Sequence, residues 1–221
     1  MYWKDEGYLL FKSNYSENSI LIETFTLNHG KYTGIVYGGS SRKQKKNFQI
    51  GNKIYINWRS KRENTKGYFN VELIKPVAPF FFDDKKKSVS ILSAASILKI
   101  LLPERQINKK IYKSFEKMVS ELVSDDWINL YIHWELSLIT ELGFGINLSN
   151  MHTANADSKI IEINNKTFKV PDIILYKKTK NTSKNEVKDA LIFNKRLLID
   201  NFIYPNKLKF PLFRSLLESY Y

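Results

Sequence analysis

The first 77 residues contain five short segments in which apolar and polar side chains alternate, with turn-forming residues between them. Such alternation is typical of strands that bury one face. The segments are 8–11, 19–25, 32–37, 54–58 and 68–77. Five short strands in so few residues would leave exposed edges in an open sheet, and closure removes those edges. We therefore predict a small closed β-barrel of the OB kind.

The apolar period changes near residue 78, and the rest of the chain is predicted to be mainly helical. We expect domains at 1–78 and 79–221, and hence an α+β protein in which a helical bundle follows the barrel. The predicted helices are 88–102, 109–123, 126–142, 183–202 and 210–220. A pair of asparagines separates two alternating segments, so the stretch at about 147–176 is predicted to contain a β-hairpin insertion.

Local patterns predict several details of the helical half. Ser88 is expected to cap the first helix, and Ser183 with Glu186 matches the capping box of the fourth. The three phenylalanines at 80–82 are expected to wedge between the domains rather than bind a ligand. The residues of the last helix that are predicted to be buried are Leu212, Phe213, Leu216 and Leu217.

Positive charge is concentrated between residues 24 and 62, where the sequence has no acidic residue. The whole chain has a formal net charge of +13, which favours acidic partners: nucleic acid, acidic protein tails or anionic lipid. A surface built only for solubility normally mixes both signs of charge, so a cluster of one sign indicates a polyanion. The predicted nucleic-acid contacts are Arg42, Lys43, Lys45, Lys46, Arg59, Lys61 and Arg62.

Three aromatic residues, Phe48, Tyr55 and Trp58, are interleaved with these cations. Cations follow phosphates, and flat rings stack on unpaired bases, so this pattern predicts a surface for single-stranded nucleic acid. The alternative interpretation is that Tyr55 and Trp58 belong to the barrel core and that the loop is only a solvated surface. The residue pattern leaves both interpretations open.

No motif in the sequence supports catalysis. The chain has no cysteine, which excludes disulfides and cysteine-based zinc or redox sites. His29, His133 and His152 are not spaced as metal ligands, and the sequence lacks a P-loop, a nucleophile elbow and a dinucleotide fingerprint. We therefore expect neither an enzyme nor a cofactor or metal. The charged first residues and the short apolar runs predict neither a signal peptide nor a membrane span.

A second group of cations surrounds the predicted turn between the first two helices. It consists of Lys99, Arg105, Lys109, Lys110 and Lys113. Leu102, Ile107 and Ile111 lie among them, and an apolar groove ringed by cations suits an amphipathic acidic peptide. The other interpretation is that these are ordinary surface lysines around ordinary packing.

Several segments, in matching order, resemble the RecO family of bacterial recombination mediators. In the first half they are WKDEG at 3–7, NHGK at 28–31, GGSSRK at 38–43 and FQIGN at 48–52. In the helical half they are LLPER at 101–105, YIHWELSL at 131–138 and ELGFG at 141–145. The resemblance spans nearly the whole chain, and the ordered set is more specific than any one motif.

The resemblance implies a protein that binds single- and double-stranded DNA and anneals complementary strands. The resemblance also implies that the protein acts with RecR to load RecA onto DNA coated by single-stranded DNA-binding protein. It further implies that the protein binds the acidic C-terminal tail of that coating protein. By position, the loop from Arg42 to Lys46 and the cations from Arg59 to Arg62 would contact DNA. The cations from Arg105 to Lys113 are the candidate contacts for the tail. A cytoplasmic, nucleoid-associated bacterial protein is implied.

One segment departs from the family pattern. Many members carry a cysteine-rich zinc module after the ELGFG segment, whereas the corresponding stretch at 147–176 has no cysteine here. His152 alone does not rebuild such a site, so a role that depends on zinc is not expected. The apolar residues that we expect to hold the hairpin by packing instead are Ile160, Ile161, Ile163 and Phe168.

These observations together predict a non-catalytic protein that binds and anneals DNA during recombinational repair. Two other functions remain compatible with the sequence. One is an adaptor whose basic face binds acidic protein tails and touches DNA weakly. The other is an RNA-binding OB protein.

Overall fold

A computed structural model describes residues 1–62, 66–145, 152–155, 158–163, 166–176 and 182–221. Contacts along the chain divide it into two compact units. The first comprises residues 1–113 with 211–214, and the second comprises 114–210 with 215–221. The predicted division at residue 78 separates the β-rich part of the sequence from the helical part and stays a prediction. By contacts, the first helical residues group with the strands.

Five strands form a closed barrel, as the alternating segments predict. They are β1 (Tyr2–Ser16), β2 (Ser19–Thr26), β3 (Gly30–Tyr37), β4 (Lys53–Arg59) and β5 (Gly67–Lys75). Their order around the barrel is β1-β2-β3-β5-β4. Strands β3 and β5 pair in parallel, and the other neighbours are antiparallel. The OB-type barrel and the α+β class are confirmed.

Strand β1 is longer than predicted, and it closes the barrel. Its first half, from Tyr2 to Tyr8, pairs with β4, and its second half, from Gly7 to Ser16, pairs with β2. Gly7 takes part in both pairings. A Cβ at that position would lie 2.6 Å from the carbonyl oxygen of Phe25, so the close approach of the strands there requires glycine.

Apolar side chains from all five strands fill the barrel. Leu9, Ile22 and Ile56 are fully buried, and each such side chain contributes about 1.5–3 kcal/mol of hydrophobic free energy. Gly67 lies against the indole of Trp58, where a Cβ would come within 2.1 Å of Nε1. The large indole therefore fits only because the neighbouring strand begins with a glycine.

The first helix begins earlier than the sequence predicts. A single 3₁₀ turn (Ala78–Phe81) leads into α1 (Lys85–Leu101), and the N-cap is Asp84 rather than Ser88. The Asp84 carboxylate accepts hydrogen bonds at 3.1 Å from the backbone amides two and three residues later. A carboxylate is favourable there because it satisfies unpaired amides and complements the helix dipole. Ser88 donates instead to the carbonyl oxygen of Phe81.

Some apolar residues that were predicted to be buried are exposed. Phe80 and Phe82 are 70% and 60% exposed, although Phe81 between them is buried. In the last helix, Leu212 and Leu216 are 78% and 39% exposed. Consecutive side chains on a helix or helical turn point about 100° apart, so a run of adjacent apolar residues does not bury as a group. The wedge prediction is therefore wrong for both outer phenylalanines.

The second helix, α2 (Lys109–Ser120), begins where the sequence predicts. The Asn108 side chain accepts a hydrogen bond at 3.1 Å from the backbone amide of Ile111 and so caps its first turn. Tyr112 packs against Tyr8 and Phe25 of the barrel, with ring centroids 5.7 and 5.5 Å apart. These contacts place the start of α2 in the same compact unit as the barrel.

The remaining helices are α3 (Trp127–Ile139), α4 (Asp172–Tyr176), α5 (Lys184–Leu198) and α6 (Leu212–Ser219). A π-helical turn continues α3, and it contains Gly143 at φ 96°, the glycine at which the sequence predicts the helix to end. The capping box of Ser183 and Glu186 is present at the start of α5, which confirms that prediction. A second π-helical turn follows α5.

A small sheet lies between α3 and α4 in the sequence. Its strands are β6 (His152–Asn155), β7 (Ser158–Ile163) and β8 (Lys166–Lys169), in that order. The hairpin of β7 and β8 confirms the predicted insertion, whereas β6 and α4 were not predicted. The side chain of Ile163, one of the predicted packing residues, lies outside the described side chains.

Packing of one aromatic residue anchors this hairpin. Ile161 and Phe168 face each other across β7 and β8, and both are buried. The Phe168 ring meets Phe193 of α5 edge to face at 6.2 Å. Ile160 is only half-buried. The hairpin is thus held by apolar contacts to a helix of the same unit.

We expect Phe168→Ala to lower the free energy of unfolding by about 3 kcal/mol, because it removes a buried ring and leaves a cavity against Phe193. Urea denaturation followed by circular dichroism measures this change. The matched control is Thr167→Ala, an exposed neighbour on the same strand, for which a change within about 0.5 kcal/mol is expected. Equal, small changes in both variants would contradict packing as the anchor of the hairpin.

Candidate nucleic-acid interface

The outer face of the barrel carries a row of three exposed side chains on adjacent strands. Tyr2 of β1 is the register partner of Arg59 of β4, and Arg59 is the partner of Tyr68 of β5. Directly opposed residues have Cβ atoms about 4.5–5.5 Å apart, so their side chains interact. The guanidinium of Arg59 lies between two aromatic rings on a solvent-exposed face.

The inward-facing residues of the same three strands determine the orientation of this row. Trp3, Trp58 and Phe69 are register partners one residue further along the same three strands. The two indoles stack at 5.5 Å with an interplanar angle of 18°, and Trp58 and Phe69 are buried. Because successive side chains of a strand point to opposite faces, burial of these rings turns Tyr2, Arg59 and Tyr68 outward.

The character of the outer face changes along the strands. The next outward row consists of Lys4, Asn57 and Asn70, and the row after it consists of Glu6, Tyr55 and Glu72. One of these acids, Glu6, forms an ion pair with Lys53 at 2.9 Å. The face is therefore aromatic and cationic at one end and acidic at the other. An anionic ligand is favoured over the first two rows and disfavoured over the third.

A second aromatic pair extends the row towards β3. The rings of Tyr37 and Tyr68 stack with centroids 5.0 Å apart and an interplanar angle of 20°. Both are exposed, Tyr37 to 67% and Tyr68 to 42%. A hydrogen bond with Tyr68 raises the pKa of the Tyr37 hydroxyl. The pair presents flat apolar surface to solvent while its hydroxyls are engaged with each other.

The cations at this end lie over the Tyr2 ring. The Arg59 guanidinium carbon is 5.3 Å from its centroid, and the Lys4 ammonium is 5.7 Å from it. A hydrogen bond with Tyr2 raises the pKa of Lys4. Lys4 therefore stays charged at neutral pH.

These residues line a groove with room for a ligand. A cavity of about 530 Å³ is lined by the tyrosines, Lys4, Arg59 and the loop residue Gln44. A neighbouring cavity of about 650 Å³ shares Tyr2, Arg59 and Tyr68 and adds Lys61. We call the surface formed by Tyr2, Lys4, Tyr37, Arg59, Lys61 and Tyr68 the tyrosine groove.

The loop between β3 and β4 carries the other predicted cations. Arg42, Lys43, Lys45 and Lys46 are all exposed. The loop is anchored at its base, where Phe48 is buried in the core and the Asn52 side chain donates to the carbonyl oxygen of Asn47 at 3.2 Å. The same side chain accepts from the backbone amide of Val77 at 2.8 Å. Its cations thus project from a fixed base.

The structure brings together only part of the predicted contact set. Arg59 and Lys61 line the tyrosine groove, and Arg62 is exposed on the adjoining loop. Lys45 lines a different cavity. Arg42, Lys43 and Lys46 are exposed on the loop. In the described part of the chain, they line none of these three cavities.

The aromatic residues chosen from the sequence are not the exposed ones. Phe48 and Trp58 are only 2% and 3% exposed. Both are core residues, so neither can stack on a base. Tyr55 is half-buried and stands in the acidic row. The exposed rings of the tyrosine groove are Tyr2, Tyr37 and Tyr68. Tyr2 and Tyr68 were detectable in the sequence, since each precedes an aromatic residue that faces the core, the partly buried Trp3 or the buried Phe69.

The second predicted cation cluster is partly engaged within its own unit. The Lys99 ammonium lies 3.4 Å from the centroid of the Phe11 ring and forms an ion pair with Glu23 at 3.5 Å. Arg105 adopts a positive φ of 62°, and its guanidinium lies over the ring of Tyr32 at 5.4 Å. Lys109, Lys110 and Lys113 are exposed.

The apolar part of this predicted groove is smaller than expected. Leu102 and Ile111 are buried, at 5% and 0% exposure, whereas Ile107 is 55% exposed. The surface therefore offers one apolar side chain near several cations rather than a continuous apolar groove.

The residues present do not fit the zinc module found in many chains with these motifs. The sequence has no cysteine, and zinc modules of that kind depend on thiolate ligands. Among the described residues, no group of three or more histidine, cysteine, aspartate or glutamate side chains is arranged to hold a metal. The side chain of His152 lies outside the described side chains.

Comparison with known proteins identifies the class. The fold is an OB-type barrel followed by helices, and two family models match in the same order. Recombination protein O N terminal matches residues 1–77, and recombination protein O C terminal matches residues 83–176. The chain therefore belongs to the RecO family of DNA repair and recombination proteins.

Curated relatives agree with this assignment. The DNA repair protein RecO of Wolbachia sp. subsp. Drosophila simulans (strain wRi) is 32% identical over 169 residues, covering 76% of this chain and 70% of the relative. The protein of the same name from Jannaschia sp. (strain CCS1) is 33% identical over 149 residues, covering 67% of this chain and 61% of the relative. The chain thus spans less than two thirds of the length of some relatives.

In the parts of the chain that the structure describes, no helix is long and apolar enough to cross a membrane.

We expect Tyr37→Ala and Tyr68→Ala each to weaken binding of a single-stranded oligonucleotide by about 1–3 kcal/mol, because each removes a ring on which a base can stack. Fluorescence anisotropy at fixed salt measures the affinity. Tyr204→Ala is the control, since Tyr204 is 81% exposed but lies in the second compact unit. Unchanged affinity in both groove variants would remove the tyrosine groove from the interface.

Proposed function

We propose that this protein binds DNA through its N-terminal barrel and brings complementary strands together during recombinational repair, without a covalent step. The observation that carries the proposal is the outward row of Tyr2, Arg59 and Tyr68 with Tyr37 stacked beside it. Membership of the RecO family supports a role in repair and recombination. The formal net charge of +13 supports an anionic polymer as ligand.

Two kinds of contact would divide the work of binding. The exposed cations of the loop and of the strand end neutralise phosphates and release condensed counterions, which supplies affinity for any sequence. The exposed tyrosine rings stack on bases, which requires those bases to be unpaired. Proteins with an OB barrel often bind oligonucleotides on the face of strands 2 and 3. Here the proposed face consists of β1, β4 and β5 with the end of β3.

Annealing follows from the same electrostatics. Two complementary strands repel each other through their phosphates, and this repulsion decreases when a cationic surface holds both. Stacking on tyrosine rings keeps bases exposed before they pair. The protein therefore needs no catalytic residue to accelerate pairing, since it lowers the cost of bringing two polyanions together.

The proposed partners follow from the family. We propose that the protein acts with RecR to load RecA onto DNA covered by single-stranded DNA-binding protein. We also propose that it binds the acidic C-terminal tail of that coating protein. A cytoplasmic, nucleoid-associated location is consistent with this work. These proposals are supported by family membership rather than by any contact in the structure.

The basic loop is tested by its salt dependence. We expect a variant with Arg42, Lys43, Lys45 and Lys46 all replaced by alanine to show a shallower slope of log K against log salt, because fewer counterions are released. For a single strand, the slope should decrease by about 0.7 for each phosphate that the variant no longer neutralises. Anisotropy titrations of one oligonucleotide over a salt series measure the slope.

The control for the loop variant has the same change of net charge. In it, Lys117, Lys184, Lys188 and Lys209, exposed residues outside the barrel, are replaced by alanine. Its slope should match that of the wild type. If both variants decrease the slope equally, the effect is one of total charge and the loop is not a specific contact.

A second candidate function is an adaptor that binds acidic protein tails. The exposed residues Ile107, Lys109 and Lys113 favour it, because an exposed apolar side chain beside cations suits an acidic peptide with an apolar end. Arg105, Lys110 and Lys99 belong to the same proposed contact set. An RNA-binding role is separated from both by competition of single-stranded RNA against DNA.

We expect Lys109→Ala combined with Lys113→Ala to weaken binding of a labelled acidic peptide about fivefold, because each exposed charge contributes about 0.5 kcal/mol. The same variant should bind single-stranded DNA as the wild type does. Lys184→Ala combined with Lys188→Ala is the matched control. Loss of DNA binding without loss of peptide binding would assign these cations to the nucleic-acid interface instead.

A further inference from the structure

A second polar cavity lies beside the loop between β3 and β4. It has a volume of about 490 Å³. The end of β1 contributes Lys12, Ser13 and Asn14 to its lining, and the loop contributes Ser40 and Lys45. None of the described residues that line it is acidic. Ile20 and Phe48 add apolar surface, so the lining is mixed, and its only charged residues within the described chain are two lysines.

Lys12 and Lys45 both line this cavity, and none of its described lining residues is a carboxylate. Lys12 is half-buried and donates a hydrogen bond to the carbonyl oxygen of Phe48. Burial, together with the like charge of Lys45, holds the pKa of Lys12 below its usual value. Two cations kept close together in a partly buried cavity favour a bound anion, because the anion relieves both their repulsion and the cost of desolvation.

This cavity and the tyrosine groove flank the same loop. Both are lined by Phe48, which anchors the loop. Gln44 lines the cavity of the tyrosine groove, and the next residue, Lys45, lines the second cavity. The two sites use opposite ends of β1, Tyr2 and Lys4 in the groove and Lys12 to Asn14 in the second cavity. The second cavity also has a different chemistry, since its only aromatic lining residue in the described chain is the buried Phe48.

We propose that Lys12 and Lys45 form a phosphate subsite that holds the sugar–phosphate backbone of DNA whether or not its bases are paired. The subsite has cations and hydroxyls for a phosphodiester but no exposed ring for a base. The tyrosine groove has the complementary property, because its rings need unpaired bases. This inference rests on the proposed DNA-binding function and divides it between two flanks of one loop.

The division has a consequence for annealing. When two strands pair, their bases leave the tyrosine rings, and stacking no longer contributes to binding. The interaction at Lys12 and Lys45 persists, because the phosphates of the duplex remain available. The product is then held through its backbone only and, since that hold is electrostatic, it is released as salt increases.

The test uses three probes of equal length: a single-stranded oligonucleotide, the corresponding duplex, and an abasic oligonucleotide that keeps the phosphates without the bases. Affinities are measured by anisotropy over a salt series for the wild-type chain. The same series is measured for Lys12→Gln, Lys45→Ala, Tyr37→Ala and the control Lys188→Ala. Lys188 is an exposed lysine of α5 and matches the lysine variants in charge change.

We expect Lys12→Gln and Lys45→Ala to weaken binding of all three probes and to decrease the duplex salt slope by about 0.9 for each phosphate that is no longer neutralised. Tyr37→Ala should weaken binding of the single strand and leave the abasic probe unchanged. Lys188→Ala should change none of the affinities. Lys12→Arg should restore binding, which separates loss of charge from damage to the fold.

The outcomes separate this inference from the proposed function. If the wild type binds no probe even at low salt, DNA binding itself fails, and the subsite fails with it. If the wild type binds but both lysine variants keep the wild-type slope on the duplex and abasic probes, the phosphate subsite is wrong and DNA binding stands. If Lys12→Gln does not fold, Lys45→Ala is compared with Lys43→Ala, an exposed loop lysine that does not line this cavity; an equal decrease of the duplex slope in both would overturn the subsite.

Discussion

The double pairing of β1 is the constraint on which the barrel and its proposed binding face depend. The first half of this strand pairs with β4 and the second half with β2, so one strand closes the sheet. Closure aligns Trp3 with Trp58 and Phe69 inside the barrel. The strand alternation then places Tyr2, Arg59 and Tyr68 outside, in one row. A slip of β1 by one residue would turn Trp3 outward and Tyr2 inward, so core packing determines the register of the proposed binding face.

The barrel was predictable because alternation and turn residues are local signals, and four of its strands carry them clearly. The first half of β1 was missed because its inward positions are not uniformly apolar: between Trp3 and Gly7 the inward residue is Asp5, which is buried. The aromatic residues of the site were misassigned for a related reason. Trp58 stands next to Arg59 in the sequence, but neighbours along a strand point to opposite faces. Phe48 closely follows the loop cations, but its side chain is buried in the core. Proximity in sequence to a charge therefore says little about which ring reaches solvent.

Tertiary pairing accounts for what the sequence did not predict about the site. Tyr37 meets Tyr68 because β3 and β5 are parallel neighbours, an arrangement that no local pattern encodes. Lys12 and Lys45 line one cavity because the end of β1 and the loop between β3 and β4 both contribute to it. Two predicted members of the second cluster pack against rings of the barrel instead: Lys99 lies over Phe11, and Arg105 lies over Tyr32. Charge counting located the basic region but gave no information about which cations have partners within the protein.

The proposed annealing requires a surface that binds reactants and product to different extents, and the two flanks of the loop would supply such a difference. Stacking contributes about 1–3 kcal/mol per base and vanishes on pairing, whereas a phosphate contact survives pairing and weakens with salt. A surface with stacking alone would resist the pairing that it is meant to promote, since each base would have to leave its ring unaided. A surface with phosphate contacts alone would not discriminate single strands from duplex. In the proposed mechanism, the combination of Tyr37 and Tyr68 with Lys12 and Lys45 would let base pairing itself weaken the binding of the product.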